Sequence, residues 1–213
     1  MELPIEGEQK TDYSISFEKD FWNETAGYES MRWIYLRDYH KENYECSKER
    51  FRLKGTKITL EEADTPTFIG VRQSEFDSEL TVSVSGTAQE AGVTFYMDEQ
   101  QHYDLFRSVT TEGIKAVLRF HVGDAIMIAG EYEFEGAADA EQQAVQLKAV
   151  TREEYYEFYV IDGAKEVFLG RAQAKYLSSE VAGGFTGVVM GLYAVDEQEN
   201  WAEFRNFYWK QGR

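Results

Sequence analysis

The chain has 213 residues, with 22 Lys and Arg against 39 Asp and Glu, and its formal net charge is −17. This length fits one domain with a sizeable core. The negative charge argues against nucleic acid and anionic membranes as partners. The single cysteine, Cys46, cannot form an internal disulfide, which favours a cytoplasmic location.

Residues 1–12 are polar and contain one of the two prolines of the chain. This composition is typical of a linker, or of the remnant of an upstream domain. We therefore expect one folded domain over residues 13–213.

From residue 13 onward, apolar and polar residues alternate with period two, which indicates half-buried strands. Leu80, Val82 and Val84 fall on one face of such a strand. Turn signals such as Asp162-Gly163 separate the strands, and one or two helical turns are predicted over 137–143. Strands are predicted over 13–17, 33–37, 50–53, 57–60, 68–73, 79–85, 92–97, 102–107, 114–122, 126–133, 144–150, 155–160, 166–170, 188–194 and 204–209.

The pattern contains no long amphipathic helix. About a dozen short antiparallel strands, each with one face in water, require a second layer to cover the other face. The sequence therefore predicts an all-β protein, a two-sheet antiparallel jelly-roll sandwich.

One aromatic residue stands among glycines before the strand predicted over 188–194. Phe185 follows Gly184, precedes Thr186, and is flanked further out by Gly183 and Gly187. Glycines permit backbone angles that other residues resist, so this segment can form a tight loop that projects Phe185 from the sheet. In the alternative interpretation, which spacing by itself favours, Phe185 packs back over the core.

Aromatic residues make up 15% of the chain. Exposed rings can stack on the apolar faces of sugars, although most rings in a β protein pack inside it. Tyr155, Tyr159 and Trp201 are the candidates for sugar stacking, because they fall on polar strand faces or in a loop.

Acidic residues occur in groups. Glu131, Glu133 and Glu135 share one strand face, with neighbouring carboxylates about 7 Å apart, and paired carboxylates can hydrolyse glycosides. A solvated acidic face is the preferred interpretation. Two other groups offer oxygen ligands for calcium without a defined ligand spacing, namely Glu61, Glu62 and Asp64, and Asp196, Glu197 and Glu199.

The histidines, His40, His102 and His121, are scattered along the chain, and with one cysteine no zinc-binding spacing is found. A nucleophile motif such as Gly-x-Ser-x-Gly is also absent from the sequence. We expect no metal and no cofactor, with a bound calcium ion as the less favoured alternative.

Three stretches together resemble the C-terminal concanavalin-A-like domain of β-xylosidases and α-L-arabinofuranosidases of glycoside hydrolase family 43. They are residues 68–73 (FIGVRQ), residues 90–98 (EAGVTFYMD) followed by His102 and Tyr103, and residues 180–193 (EVAGGFTGVVMGLY). Their order and separation fit that domain, and the resemblance extends over most of the chain from about residue 13 to 209.

The resemblance implies a sandwich of the concanavalin-A-like lectin/glucanase type, packed beside a five-bladed β-propeller that holds the catalytic carboxylates and inverts the anomeric centre. In related β-xylosidases, a Phe from the matching loop reaches the rim of the propeller's pocket. The position that matches it is Phe185, between Gly184 and Thr186. The chain would then contribute no catalytic residue, and its partners would be the propeller and xylo- or arabino-oligosaccharides.

Two other functions remain open at this point. The chain could be a free-standing carbohydrate-binding module for plant cell-wall glycans, with exposed aromatics on one sheet. It could also be an independent glycosidase, which would need two carboxylates facing each other across a concave sheet.

Overall fold

The computed structural model describes residues 14–16, 33–47, 49–134, 143–183 and 187–212. Within these ranges, two 3-10 helices, Lys41–Asn43 and Ala174–Leu177, and one short α-helix, α1 (Ser179–Ala182), interrupt the strands. No helix among the described residues is long and apolar enough to cross a bilayer. The strands are β1 (Ser14–Ser16), β2 (Tyr44–Cys46), β3 (Arg50–Lys54), β4 (Thr67–Arg72), β5 (Ser78–Gly86), β6 (Glu90–Asp98), β7 (Gln101–Thr110), β8 (Gly113–Val122), β9 (Ala125–Glu133), β10 (Val145–Thr151), β11 (Tyr155–Asp162), β12 (Lys165–Gln173), β13 (Val189–Val195) and β14 (Trp201–Gln211).

The strands form two antiparallel sheets. An eight-stranded sheet has the order β12-β11-β10-β5-β14-β3-β2, with β1 pairing beside β14. A six-stranded sheet has the order β4-β13-β6-β7-β8-β9. The predicted all-β, concanavalin-A-like sandwich is confirmed.

The main hydrophobic core lies between the sheets. It includes Leu80, Phe95, Phe158 and Trp209, all fully buried. In β10 buried and half-buried residues alternate over most of the strand, as the period-two pattern predicts for a strand with one covered face.

Two of the predicted strands are wrong. Residues 57–60 are irregular and lead into a turn at Leu60, and the Glu62 carboxylate accepts the backbone N–H of Thr59 at 2.7 Å. Residues 33–37 contribute only an isolated bridge between Ile34 and Gly70. Strand β2 was not predicted, and most of the helical turn expected over 137–143 lies outside the described residues.

The outer face of the six-stranded sheet is also partly buried. Residues 57–66 lie over it, and Leu60, 1% exposed, packs into a second apolar cluster with Phe106 and Tyr193. Close packing requires glycine here, since a Cβ on Gly191 would overlap the ring of Phe68. This covered outer face holds the candidate site.

Candidate functional site

A group of charged and polar side chains is enclosed on the outer face of the six-stranded sheet, where water would be expected. We call it the buried polar cluster. His102 and Asp104 are 0% exposed. The members of the cluster are Glu61, Glu90, His102, Asp104, Arg119 and His121.

The hairpin between β7 and β8 places four of these residues together. Thr110 pairs with Gly113 across a two-residue turn, and from there the register sets Asp104 opposite Arg119 and His102 opposite His121. Residues two apart in a strand point to the same face, so both pairs lie side by side on the outer face. Glu90 reaches them from the start of β6, and Glu61 from the covering segment.

Arg119 joins two carboxylates in the cluster. Its Nη1 and Nη2 donate to the two oxygens of Glu90 at 3.1 and 2.7 Å, while its Nε and Nη2 donate to Asp104 Oδ2 at 3.0 and 2.9 Å. The hydroxyl of Tyr193 also donates to Glu90, at 2.7 Å. Bidentate pairs of this type are strong and fix geometry.

The two histidines are in direct contact with each other. His102 Nδ1 lies 2.9 and 3.0 Å from the two oxygens of Asp104. Its other nitrogen, Nε2, lies 3.0 Å from His121 Nδ1, and Glu61 Oε1 lies 4.0 Å from the same His121 atom. Nitrogen and oxygen atoms of three residues therefore converge on one small volume.

Electrostatics in the cluster follow from burial and from these partners. Burial disfavours the charged form of Asp104, but His102 and Arg119 outweigh it and hold the pKa at about 2. Burial likewise acts against protonated His102, yet Asp104 raises its pKa above the usual value. The pKa of His121 is lowered, by burial and by the positive charge of His102. Thr59 and Arg119 lower the pKa of Glu61 in spite of its partial burial.

The expectation that the histidines are scattered is wrong for His102 and His121, because the hairpin register brings them into contact. The signal was present in the sequence. Two spacing-two pairs, His102 with Asp104 and Arg119 with His121, stand at equal distances from the two-residue turn of Thr111 and Glu112. This pattern does not predict that residues 57–66 cover these side chains and bring Glu61 next to them.

The residues proposed for calcium have other partners. Asp196 is buried, and its carboxylate accepts the backbone N–H groups of Gln89 at 2.9 Å and Gln198 at 2.7 Å. Glu199 pairs with Lys54. These contacts identify Asp196 as a cap for the loop before β14, since a carboxylate commonly closes a turn in this way.

The loop that carries Phe185 is described only at its two ends. Gly184, Phe185 and Thr186 lie outside the described residues. Helix α1 ends at Gly183, which has φ +79°, and Gly187 has φ +73°. Arg72 Nη1 donates to the carbonyl of Gly187 at 3.1 Å. Both glycines adopt backbone angles that other residues rarely adopt, as the sequence suggested.

A cleft of about 950 Å³ lies beside the ends of this loop. Gly187 lines it, together with Phe76, Tyr155, Arg171 and Lys175. The ring of Phe76 is 68% exposed. One exposed apolar side chain is common on protein surfaces, so Phe76 by itself does not mark a binding surface.

The aromatic residues proposed for sugar stacking all lie on the outer face of the eight-stranded sheet, but they do not form one surface. Tyr155 and Tyr159 share a face of β11. Through β10 and β5, the register sets Tyr156 level with Gln211. Trp201 begins β14, ten residues from Gln211, so it lies about 30 Å away at the other end of the sheet.

Cations cover part of these rings. The guanidinium of Arg171 lies 4.4 Å from the ring centre of Tyr155, and that of Arg52 lies 4.8 Å from the ring of Trp201. The ring of Phe168 packs edge-on against Tyr159, with centroids 5.4 Å apart. Sugar stacking at Tyr155, Tyr159 and Trp201 remains a prediction.

Glu131 and Glu133 are exposed on one face of β9, and Glu133 pairs with Lys115 at 2.9 Å. Glu135 lies outside the described residues. This arrangement agrees with a solvated acidic face. Asp104 is instead buried and Glu90 half-buried, and both bind the guanidinium of Arg119, which suits a structural role better than acid–base chemistry.

Comparison with known proteins gives a family for the whole sandwich. The family described as "Beta xylosidase C-terminal Concanavalin A-like domain" matches residues 18–210. A curated relative is the non-reducing end α-L-arabinofuranosidase BoGH43B of Bacteroides ovatus, which is 30% identical over 181 residues. That alignment covers 82% of this chain and 33% of the relative.

Solved structures agree with this result. The Bacteroides ovatus xyloglucan GH43B structure superposes with a TM-score of 0.78 at 25% identity, covering 98% of this chain and 40% of that one. Xylan β-1,4-xylosidase from Bacillus halodurans superposes with a TM-score of 0.77 at 20% identity, covering 99% and 41%. The chain thus spans between a third and about two-fifths of the length of these relatives. It belongs to the family of C-terminal concanavalin-A-like domains found in glycoside hydrolase family 43 glycosidases.

Proposed function

We propose that this sandwich is an accessory domain that packs on a β-propeller catalytic domain in xylan or arabinan breakdown, and that Phe185 completes the rim of the propeller's pocket. The observation that carries the proposal is the family match over residues 18–210, to a domain found in glycosidases much longer than this chain.

The ends of the 184–186 loop support the same proposal. Gly183 and Gly187 lie in the left-handed region, and the Arg72 hydrogen bond fixes the second end to β4. A short loop held at both ends can present a ring to a partner at a small entropic cost. A ring placed at a pocket rim excludes water and narrows the cleft, which favours short substrates by shape.

We expect Phe185→Ala, in the full-length glycosidase that carries this domain, to lower kcat/KM on xylobiose by about tenfold, which corresponds to the loss of about 1.4 kcal/mol of contact energy. The Tm of the isolated domain should change by no more than about 2 °C, because an exposed loop residue supports little core. Steady-state kinetics and thermal melting measure the two effects.

Val181→Ala is the matched control, since Val181 is an exposed apolar residue of α1, three positions before the loop. It should change neither quantity. A large loss of Tm with normal turnover in Phe185→Ala would instead place Phe185 in the core and overturn its proposed role.

A second candidate function is a carbohydrate-binding module. The observation in its favour is that Phe168 and Tyr208, 53% and 44% exposed, lie in one cross-strand row with Tyr159. If sugars stack there, soluble xylan in an affinity gel should retard the domain, and Tyr159→Ala should reduce the retardation. Equal migration of the domain with and without xylan would exclude this function and leave the accessory role.

A further inference from the structure

Two histidines and a glutamate place their nitrogen and oxygen atoms close together on the outer face of the six-stranded sheet. We propose that Glu61 Oε1, His102 Nε2 and His121 Nδ1 bind one divalent transition-metal ion of the zinc class. The ion would hold the 57–66 segment to the sheet.

Distances within the cluster are close to those of a metal site. The three ligand atoms lie within 4.8 Å of one another. Two ligands at about 2.0–2.1 Å from a tetrahedral ion stand about 3.4 Å apart. The observed separations of 3.0 Å between the histidine nitrogens and 4.0 Å from Glu61 to His121 lie on either side of that value. Small side-chain rotations would therefore bring all three atoms onto one ion.

The second partner of His102 prepares it to bind a metal. Its Nδ1 faces both oxygens of Asp104, so this nitrogen carries the hydrogen and Nε2 of the neutral ring presents its lone pair to His121. A carboxylate behind a metal-bound histidine fixes the tautomer and the ring orientation in the same way. Without a metal, the 3.0 Å separation of His102 Nε2 and His121 Nδ1 requires a hydrogen atom between the two nitrogens. An ion that enters there displaces this proton.

The net charge of the buried polar cluster also favours a bound divalent cation. The cluster contains three carboxylates, Glu61, Glu90 and Asp104, against the single guanidinium of Arg119. With neutral imidazoles, two negative charges are left over. Arg119 is committed to Glu90 and Asp104, and its Nε lies 3.9 Å from Glu61 Oε1, beyond hydrogen-bonding distance. A divalent cation therefore balances the cluster.

The ligand set determines the class of ion. Two imidazole nitrogens and one carboxylate oxygen suit zinc, cobalt or ferrous ions, whereas calcium prefers oxygen ligands only. The Glu61 side chain is 23% exposed, so the site opens to solvent on its side. Water can complete the coordination there.

The test uses untagged protein that has been treated with a chelator, dialysed, and titrated with Co²⁺ as a spectroscopic probe and with Zn²⁺ as a competitor. We expect one equivalent of Co²⁺ to give visible ligand-field absorption, Zn²⁺ to abolish it, and Ca²⁺ to leave it unchanged. Zn²⁺ should also raise the Tm, because an ion that binds only the folded state stabilises it.

Glu61→Gln and His121→Gln should each weaken Co²⁺ binding by about tenfold or more. Glu61 is the more exposed of the two ligands, at 23% against 8% for the His121 side chain, and circular dichroism verifies that each variant is folded. His40→Gln and Glu131→Gln are the matched controls, because His40 is the remaining histidine and Glu131 is an exposed carboxylate of the same sheet. Both should bind as the parent does.

Two results would overturn the proposal. One is the absence of saturable Co²⁺ absorption and of a Tm shift in the parent chain. The other is binding that survives in Glu61→Gln and His121→Gln but is lost in His40→Gln, which would place the ion at the exposed His40. Neither result bears on the role of Phe185, so the proposed accessory function is tested separately.

Discussion

Replacing Asp104 by alanine is expected to lower the free energy of unfolding by about 3–5 kcal/mol, because breaking a buried ion pair leaves its cationic partner, Arg119, without this carboxylate. Asp104 is fully buried and contacts both His102 Nδ1 and the guanidinium of Arg119. Urea denaturation at neutral pH, in the presence of a chelator, measures the change.

Glu131→Ala removes a carboxylate from an exposed position of the same sheet and should change stability by no more than about 0.5 kcal/mol. The pH dependence provides a second control. The pKa of Asp104 is about 2 in the folded chain, below its usual 3.8. Its ionic contribution is therefore complete above 3.8 and is lost as the pH falls through about 2.

The stability difference between the parent chain and Asp104→Asn should accordingly shrink as the pH falls from about 3.8 towards 2. Because Asp104 also raises the pKa of His102, the difference should be larger below the usual histidine pKa of 6.5 than at higher pH. A difference that stays the same down to pH 3, or a loss no larger than that of Glu131→Ala, would contradict an ionised, paired Asp104 in the core of the cluster.

The second large effect is expected from Gly92→Ala, which should cost about 3 kcal/mol of stability through overpacking. Gly92 lies on β6 between Tyr193 and Phe106, and a Cβ there would overlap the carbonyl oxygen of Leu105 and the Cα of Phe106. These atoms belong to the backbone of β7, so relief requires the strand itself to move. Chemical denaturation measures the loss.

Gly163→Ala separates this clash from backbone strain. Gly163 has φ +60° with nothing within 4 Å of an added Cβ, so alanine there should cost only about 1–2 kcal/mol for a left-handed residue. If Gly92→Ala costs less than Gly163→Ala, the close approach of β6 and β7 is not the reason for the glycine.

Much of the fold could be predicted from the sequence. Period-two alternation identified strands such as β5, β10 and β11, since each of these has one face in the core between the sheets. The prediction failed at residues 57–60, which have a strand-like composition but lie at no sheet edge. There the Glu62 side chain takes the Thr59 N–H that a neighbouring strand would otherwise bind.

The candidate site residues could also be predicted only in part from the sequence. The glycines around Phe185 were noted for their conformational freedom, and Gly183 and Gly187 both have positive φ; the role of Phe185 itself remains a prediction. The aromatic candidates were chosen for their polar-face positions, but composition could not tell that Trp201 and Tyr155 stand at opposite ends of one sheet. That separation depends on the register across four strands, which no local pattern encodes.

The sequence by itself determined the class of fold, the inner face of most strands and the resemblance to a glycosidase accessory domain, because these depend on local alternation and on short motifs in order. Only the tertiary structure decided that the outer face of β6, β7 and β8 is also covered. The period-two pattern of β8 places His121 and Arg119 on its polar face, which would be expected to face solvent. They are buried because a distant segment, residues 57–66, folds over them and brings Glu61 to the two histidines.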